Sequence, residues 1–158
     1  MLYWVFDLDN TLYQLPRNID FNYRYLKPNA KLRQQLQILP LKKILFTNGT
    51  KGHAKRCVDL LQINDIFDNY VCREDVDYIM KPEVYAFNKL YMLNNITQND
   101  KVVFFEDSIE NLIVAKNKFG WITVFIYPKR IKLKEIDFWF PNIYAALTFF
   151  LDKINMNF

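Results

Sequence analysis

Apolar residues along this chain alternate between two spacings. Short β-rich runs at residues 2–6, 43–46, 70–72, 102–105 and 122–126 are nearly continuous in apolar side chains, as in strands covered on both faces. Between them, residues 29–39, 51–61, 83–93 and 109–119 carry apolar residues three and four apart, the spacing of a helix with one buried face. Pro82 suits a helix start because its missing N–H costs nothing there, and Gly120 suits a helix end. The tail "DFWFPNIYAALTFFLDKI" predicts a further short strand and a last helix over residues 143–153. The alternation predicts an α/β fold, a central parallel sheet with helices on both faces.

The 158 residues fit one domain, residues 1–158, with no repeat and no linker composition inside it. A content of 51% hydrophobic residues with only 3 glycines excludes a low-complexity or disordered chain. Net charge is +4, which eases contact with phosphate-bearing partners without specifying one. The densest basic run, "YPKRIKLKE", reads as a solvated loop after the fifth strand. Cys57 and Cys72 lack metal-ligand spacing and read as free thiols in a reducing cytosol. No leader pattern and no membrane-length apolar run is present, so the expectation is a cytoplasmic protein without a membrane partner.

In an open α/β sheet, ligands bind beyond the carboxyl ends of the strands. The first strand there runs into Asp7-Leu8-Asp9-Asn10-Thr11, the second into Thr47-Asn48-Gly49 and the fourth into Glu106-Asp107-Ser108. Lys81 stands alone before Pro82. Carboxylates gathered at one edge oppose each other's ionisation, and oxygen ligands of this kind suit Mg²⁺ with a substrate phosphate in its shell.

The segments "DLDNTL", "FTNGT", "MKPEVYAF" and "FFEDSIENL" resemble, in order, the four motifs of the haloacid dehalogenase-like (HAD) phosphohydrolases. The resemblance implies a Rossmann-like core and an Mg²⁺-dependent phosphatase working through an aspartyl phosphate. It implies that Asp7 is the nucleophile and that Asp9 is the general acid and then base, with its backbone carbonyl on the metal. It further implies that Thr47 and the N–H groups around Asn48 and Gly49 bind phosphoryl oxygens, that Lys81 neutralises them, and that Asp107, helped by Glu106, completes the metal shell with Asp7. An acid at Asp9 is absent from the dehalogenase branch and replaced by Thr in the transport ATPases, so the resemblance is to phosphatases and phosphomutases. Thr11 reads as a support for the loop.

Within that family, "LKPNAKLRQQL", "KKILFTNGTKGHAKRCVDLLQINDIFD" and "IMKPEVYAF" are similar to pyrimidine 5′-nucleotidases that release phosphate from UMP and CMP. Those enzymes carry a helical cap after the first motif. Here the stretch between Tyr13 and Leu26-Lys27-Pro28 has room for a turn and a small hairpin flap, and "REDVDYI" before Lys81 has no room for a cap either. The expectation is a capless enzyme with an open site, acting on a nucleotide or on a phosphoprotein or nucleic-acid end, or one that borrows a lid from a second copy in a homo-oligomer. A non-catalytic phosphate-binding module is the alternative from another class. Arg17, Tyr23, Arg24 and Tyr25 in the flap could pair with phosphate or stack on a base, against ordinary flap packing. His53, at the start of the second helix, reads as solvent-facing or capping, since Asp7 and Asp9 already supply the acid–base chemistry.

Overall fold

The strand at the N-terminus, β1 (Leu2–Phe6), shows how the sheet is built. Successive side chains of a strand point to opposite faces, so Trp4 and Phe6 enter one core and Tyr3 and Val5 the other. All four are buried, which puts β1 in the interior. In the computed structural model, which describes residues 1–16 and 18–156, β1 is flanked by β2 (Lys42–Phe46) and β4 (Lys101–Glu106). Outside these lie β3 (Asn69–Val71), β5 (Ile122–Ile126) and β6 (Phe138–Phe140), the order being β3-β2-β1-β4-β5-β6 with every pair parallel.

Among the described residues, five α-helices cover this sheet. α1 (Ala30–Ile38), α2 (Lys51–Leu61) and α5 (Ile143–Met156) bring Leu32, Leu36, Cys57, Val58, Leu147 and Phe150 against the face of Trp4 and Phe6. α3 (Val84–Asn94) and α4 (Ile109–Phe119) bring Phe87, Leu90, Leu112 and Ala115 against the face of Tyr3 and Val5. α4 stops at Gly120, whose φ of +67° lies in the left-handed region that glycine enters without a Cβ penalty. The expected Rossmann-like core is present. Among the described residues, no helix is long and apolar enough to cross a membrane.

Strand order reverses at β1 and β4, the crevice where doubly wound sheets bind ligands. Phe6 stacks on Phe105 with ring centroids 4.6 Å apart, which ties the two strands together one residue before each reaches a carboxylate. Asp7 N–H continues the ladder to the Phe105 carbonyl at 2.9 Å.

Two local expectations differ from the structure. Among the described residues between Tyr13 and Asn29 there is no strand pair; the segment is loop with a single 3₁₀ turn at Tyr23–Tyr25, so the flap is not a hairpin. Asn22 caps that turn by accepting from Arg24 N–H, and this local bond replaces the cross-strand ladder a hairpin needs. The third helix begins at Val84, after Pro82 and Glu83. The Asn48 side chain holds both backbone groups of Lys81, donating to its carbonyl at 3.0 Å and accepting from its N–H at 3.1 Å, which commits Lys81 to the site rather than to the helix.

Candidate active site

The four segments expected at the sheet edge do meet there. Lys81 Nζ donates to Asp7 Oδ1 at 3.1 Å, to Glu106 Oε2 at 2.9 Å and to the Phe46 carbonyl at 2.7 Å. Asp7, Lys81 and Glu106 are all buried. Burial works against charge on Lys81, but the carboxylates of Asp7 and Glu106 outweigh it and hold the ammonium above its ordinary pKa. Burial likewise pushes Asp7 up, and Lys81 with neighbouring hydrogen bonds brings it back below the usual value.

The remaining two carboxyls stay unbalanced. Burial and the charge on Asp7 push Glu106 well above the carboxylate range, and the same two causes push Asp107 up to about 7. Oxygens of Asp7, Glu106 and Asp107 all lie within 4.8 Å of one another, three carboxylates against one ammonium. Both Glu106 oxygens are already engaged: Oε1 accepts from Asp107 and Ser108 N–H, and Oε2 accepts from Lys81 and Asn111. Glu106 thus anchors Lys81 and the turn, while Asp107 is the least buried of the three. Thr11 is buried with its hydroxyl 3.1 Å from Asp7 Oδ2 and 3.2 Å from Asp107 Oδ1, the loop-supporting place expected of it.

Thr47 leaves β2 with its N–H on the Val71 carbonyl, and its Oγ accepts from Gly49 N–H at 3.0 Å. The N-terminus of α2 follows directly, capped by Thr50, which accepts from His53 N–H at 3.1 Å.

Asp9, two residues beyond Asp7, borders a cavity of about 680 Å³. Its walls include Tyr13, Phe21, His53, Asp107 and Tyr127. Asp9 Oδ1 accepts from the Tyr13 hydroxyl, and His53 Nε2 lies 2.8 Å from the same oxygen. Burial and Asp9 together raise the pKa of the Tyr13 phenol, which keeps it a donor.

His53 therefore departs from expectation. Thr50 does the capping, and the imidazole points inward to Asp9, with its other nitrogen 2.8 Å from the Tyr23 hydroxyl. Helix geometry and one neighbour explain this: His53 and Cys57 are four residues apart on the inner side of α2, and Gly49 leaves room for the ring. A Cβ at Gly49 would meet His53 Cδ2 at 2.9 Å. The one sequence signal was the His53/Cys57 spacing on a helix whose Ala54, Cys57, Val58 and Leu61 are buried. Tyr13 went unsuggested because a lone tyrosine after an acidic motif has no distinguishing pattern.

Tyr23 packs its ring on His53 and lies under Arg56 at 3.9 Å, while Arg24 donates to the Tyr25 hydroxyl at 3.0 Å. Tyr23 thus contacts α2, whereas Arg24 and Tyr25 contact each other within the loop. Arg17 lies outside the described residues.

With this geometry in place, comparison with known proteins is decisive about the family. The model of the family described as haloacid dehalogenase-like hydrolase matches residues 18–120, more than half of the chain. The chain belongs to the haloacid dehalogenase-like hydrolases. The match takes in Thr47, Lys81, Glu106 and Asp107 of this hydrolase, and Asp7 and Asp9 precede it. The chain is 35% identical over 100 residues to Phosphate metabolism protein 8 of Saccharomyces cerevisiae, covering 56% of this chain and 31% of that protein. It thus spans about a third of the length of that relative.

Solved structures agree on the fold. L-2-haloacid dehalogenase from Xanthobacter autotrophicus, with chloropropionic acid covalently bound, superposes with a TM-score of 0.66 at 18% identity, over 81% of this chain and 62% of that one. A HAD phosphatase from Thermococcus onnurineus gives a TM-score of 0.61 at 22% identity, over 77% of this chain and 57% of that one. This hydrolase shares their core architecture.

Proposed function

We propose that residues 1–158 form a single, capless domain that hydrolyses phosphomonoesters in the cytosol, using Mg²⁺ and an aspartyl phosphate on Asp7. The observation that carries this reading is the division of labour between two neighbouring carboxylates. Asp7 is buried and paired with Lys81, whereas Asp9, with its side chain 37% exposed, borders the cavity a leaving group would occupy.

The metal fits the donor set: Asp7 and Asp107 supply hard carboxylate oxygens, and the backbone carbonyl of Asp9 is close in sequence. When bound, Mg²⁺ offsets the carboxylate excess and polarises a phosphoryl oxygen. Asp7, kept ionised by Lys81, attacks phosphorus as the ester P–O bond breaks, and the bonding pair leaves on the alcohol oxygen. Protonated Asp9 gives that oxygen its proton. Lys81, Thr47 and the backbone N–H of Asn48 take up charge on the phosphoryl oxygens, whereas the Gly49 N–H, expected to join them, is already given to Thr47 Oγ. Asp9, now ionised, removes a proton from the water that attacks the aspartyl phosphate, releasing phosphate and restoring Asp7. The relative named Phosphate metabolism protein 8 supports phosphate chemistry of this kind.

A nucleotide is the substrate the cavity favours. Its walls carry the aromatic rings of Tyr13, Phe21 and Tyr127, which suit a ring-bearing alcohol. The test is Mg²⁺-dependent phosphate release from UMP, CMP, a phosphopeptide and a phosphorylated oligonucleotide, for wild type and Asp7→Asn. Release from UMP or CMP that vanishes in the variant is expected. Preference for the peptide or oligonucleotide would replace the nucleotide by a macromolecular substrate. No difference between the two proteins would make the chain a phosphate-binding module, and gel filtration reports whether a second copy lends a lid.

A further inference from the structure

Asp9 is held by only one of its oxygens. The Tyr13 hydroxyl and His53 Nε2 both converge on Oδ1, and among the described residues no group binds Oδ2. A carboxylic acid carries its proton on one oxygen and accepts on the other. An oxygen that already accepts two hydrogen bonds is the poorer place for the proton. The proton is thereby directed to Oδ2.

The imidazole can serve as a donor to Oδ1 only if Nε2 carries the hydrogen. In a neutral ring the other nitrogen is then an acceptor. Nδ1 lies 2.8 Å from the Tyr23 hydroxyl, which has a hydrogen to give, so the pair of contacts is self-consistent in one direction: Tyr23 O–H to Nδ1, and Nε2–H to Asp9.

The rest of the surroundings keeps the ring in place. The edge of Phe21 meets it with centroids 5.1 Å apart, and Tyr23 packs on it at 5.5 Å. The Cys57 sulfur lies 3.5 Å from Nε2, and Gly49 offers the space a Cβ would take. Arg56 covers the outer face of Tyr23. Each of these groups belongs to α2, to the loop before it, or to the loop after Tyr13, so the acid is held by elements of the core fold itself.

We infer that His53 is a positioning residue for Asp9, placing the transferable proton on Oδ2, and that Tyr23 selects the imidazole tautomer that does so. The inference rests on the reading of Asp9 as general acid and base. It adds a requirement that this reading lacks: the loop around Tyr23 must be seated for the acid to be oriented.

The experiment compares kcat/KM for two kinds of ester with Mg²⁺ present. The departing oxygen of p-nitrophenyl phosphate is a weak base and needs little protonation, whereas those of UMP and glycerol 2-phosphate need it strongly. Misplacing the acid in His53→Ala is expected to lower kcat/KM for the alkyl esters about 10- to 100-fold. The same variant should lower kcat/KM for p-nitrophenyl phosphate by about threefold or less, because general acid catalysis contributes little there. His53→Gln, whose amide N–H reaches the place of Nε2–H, should restore most of the loss. Tyr23→Phe keeps the packing and removes only the hydroxyl, so it tests the tautomer even where His53→Ala folds poorly, and should show a smaller loss with the same selectivity.

A readout independent of turnover is the ¹⁵N spectrum of the imidazole, expected to show the Nε2–H form in wild type and a mixture of tautomers in Tyr23→Phe. Equal losses on both kinds of ester, no loss, or an Nδ1–H form in wild type would each overturn the inference while leaving the phosphatase reading intact. Absence of Mg²⁺-dependent release from every ester by wild type would remove that reading, and the inference with it.

Discussion

Lys81 Nζ stands 3.1 Å from Asp7 Oδ1, and both side chains are withdrawn from solvent. A buried pair of this kind is costly to break, because removing one partner strands the other charge. Lys81 also faces Glu106 at 2.9 Å, so its loss would strand two carboxylates. Lys81→Met should therefore lower the unfolding free energy by about 3–5 kcal/mol, measured by urea denaturation. Adding Glu106→Gln should recover part of that loss. A single variant within about 1 kcal/mol of wild type would mean that the carboxyls accept protons at little cost.

Carboxylate excess at Asp7 and Asp107 predicts that Mg²⁺ stabilises the folded chain. A cation that binds only the folded state at about 100 times its Kd adds about 2.7 kcal/mol. The melting temperature should rise with Mg²⁺ and return to its starting value with EDTA. Asp107→Asn should remove most of the response, since this residue presents an oxygen toward Asp7 that Glu106 does not have free. An undiminished rise in the variant would place the cation elsewhere.

Gly49 permits the approach of His53 to Asp9, so a single methyl group there should be felt at the acid. In Gly49→Ala the new Cβ would stand 2.9 Å from His53 Cδ2 and 3.3 Å from Thr47 Oγ, and the ring must move. Overpacking of this sort costs about 1–3 kcal/mol of stability. We expect kcat/KM for UMP to drop together with the stability. Full activity with an unchanged melting curve would show that the ring has slack.

Cys57 and Cys72 are both buried free thiols, and burial, aided by nearby carboxylates, pushes each up to about 12. Because the thiolate is the reactive form, neither should react quickly with a disulfide reagent at pH 8 until urea is added. The linkage runs the same way. Unfolded thiols ionise near 9, while the folded ones keep their protons to about 12. The associated stability is present below pH 9 and is lost as the pH rises from 9 toward 12. Cys57→Ala should flatten that decline, followed by thermal melts at several alkaline pH values. Rapid labelling of the native protein at pH 8 would contradict the burial of these thiols.

Much of this is legible in the chain itself. Helices α2 and α4 and strand β5 begin and end where the apolar spacing predicts, because each has a sharp boundary in the chain: Thr50 before α2, Gly120 after α4, and a β-branched run for β5. The meeting of Asp7, Thr47, Lys81 and Glu106 was legible too. Parallel strands with helical crossovers deliver their carboxyl ends to one edge, so residues that follow strands are neighbours whatever their separation in sequence.

The loop between Tyr13 and Asn29 was not. It has no repeating period, and its conformation follows from a few individual contacts: Asn22 on Arg24 N–H, Tyr23 on His53 and Arg56, Phe21 against the imidazole. Direction is what the linear chain lacked for His53. Its position on a helix was readable, but whether the ring met solvent or Asp9 depended on the space left by Gly49 and on where Tyr23 came to rest.

By itself, then, the sequence determined the sheet, its layers and the set of groups at its edge, since periodicity and strand ends are properties of local backbone geometry. Tertiary structure alone decided which oxygen of Asp9 is held, that Glu106 is spent on Lys81 and its own turn, and that Asn48 clamps Lys81. Those outcomes are hydrogen bonds made by individual side chains, most of them to groups from distant segments. Their geometry exists only after the helices have packed.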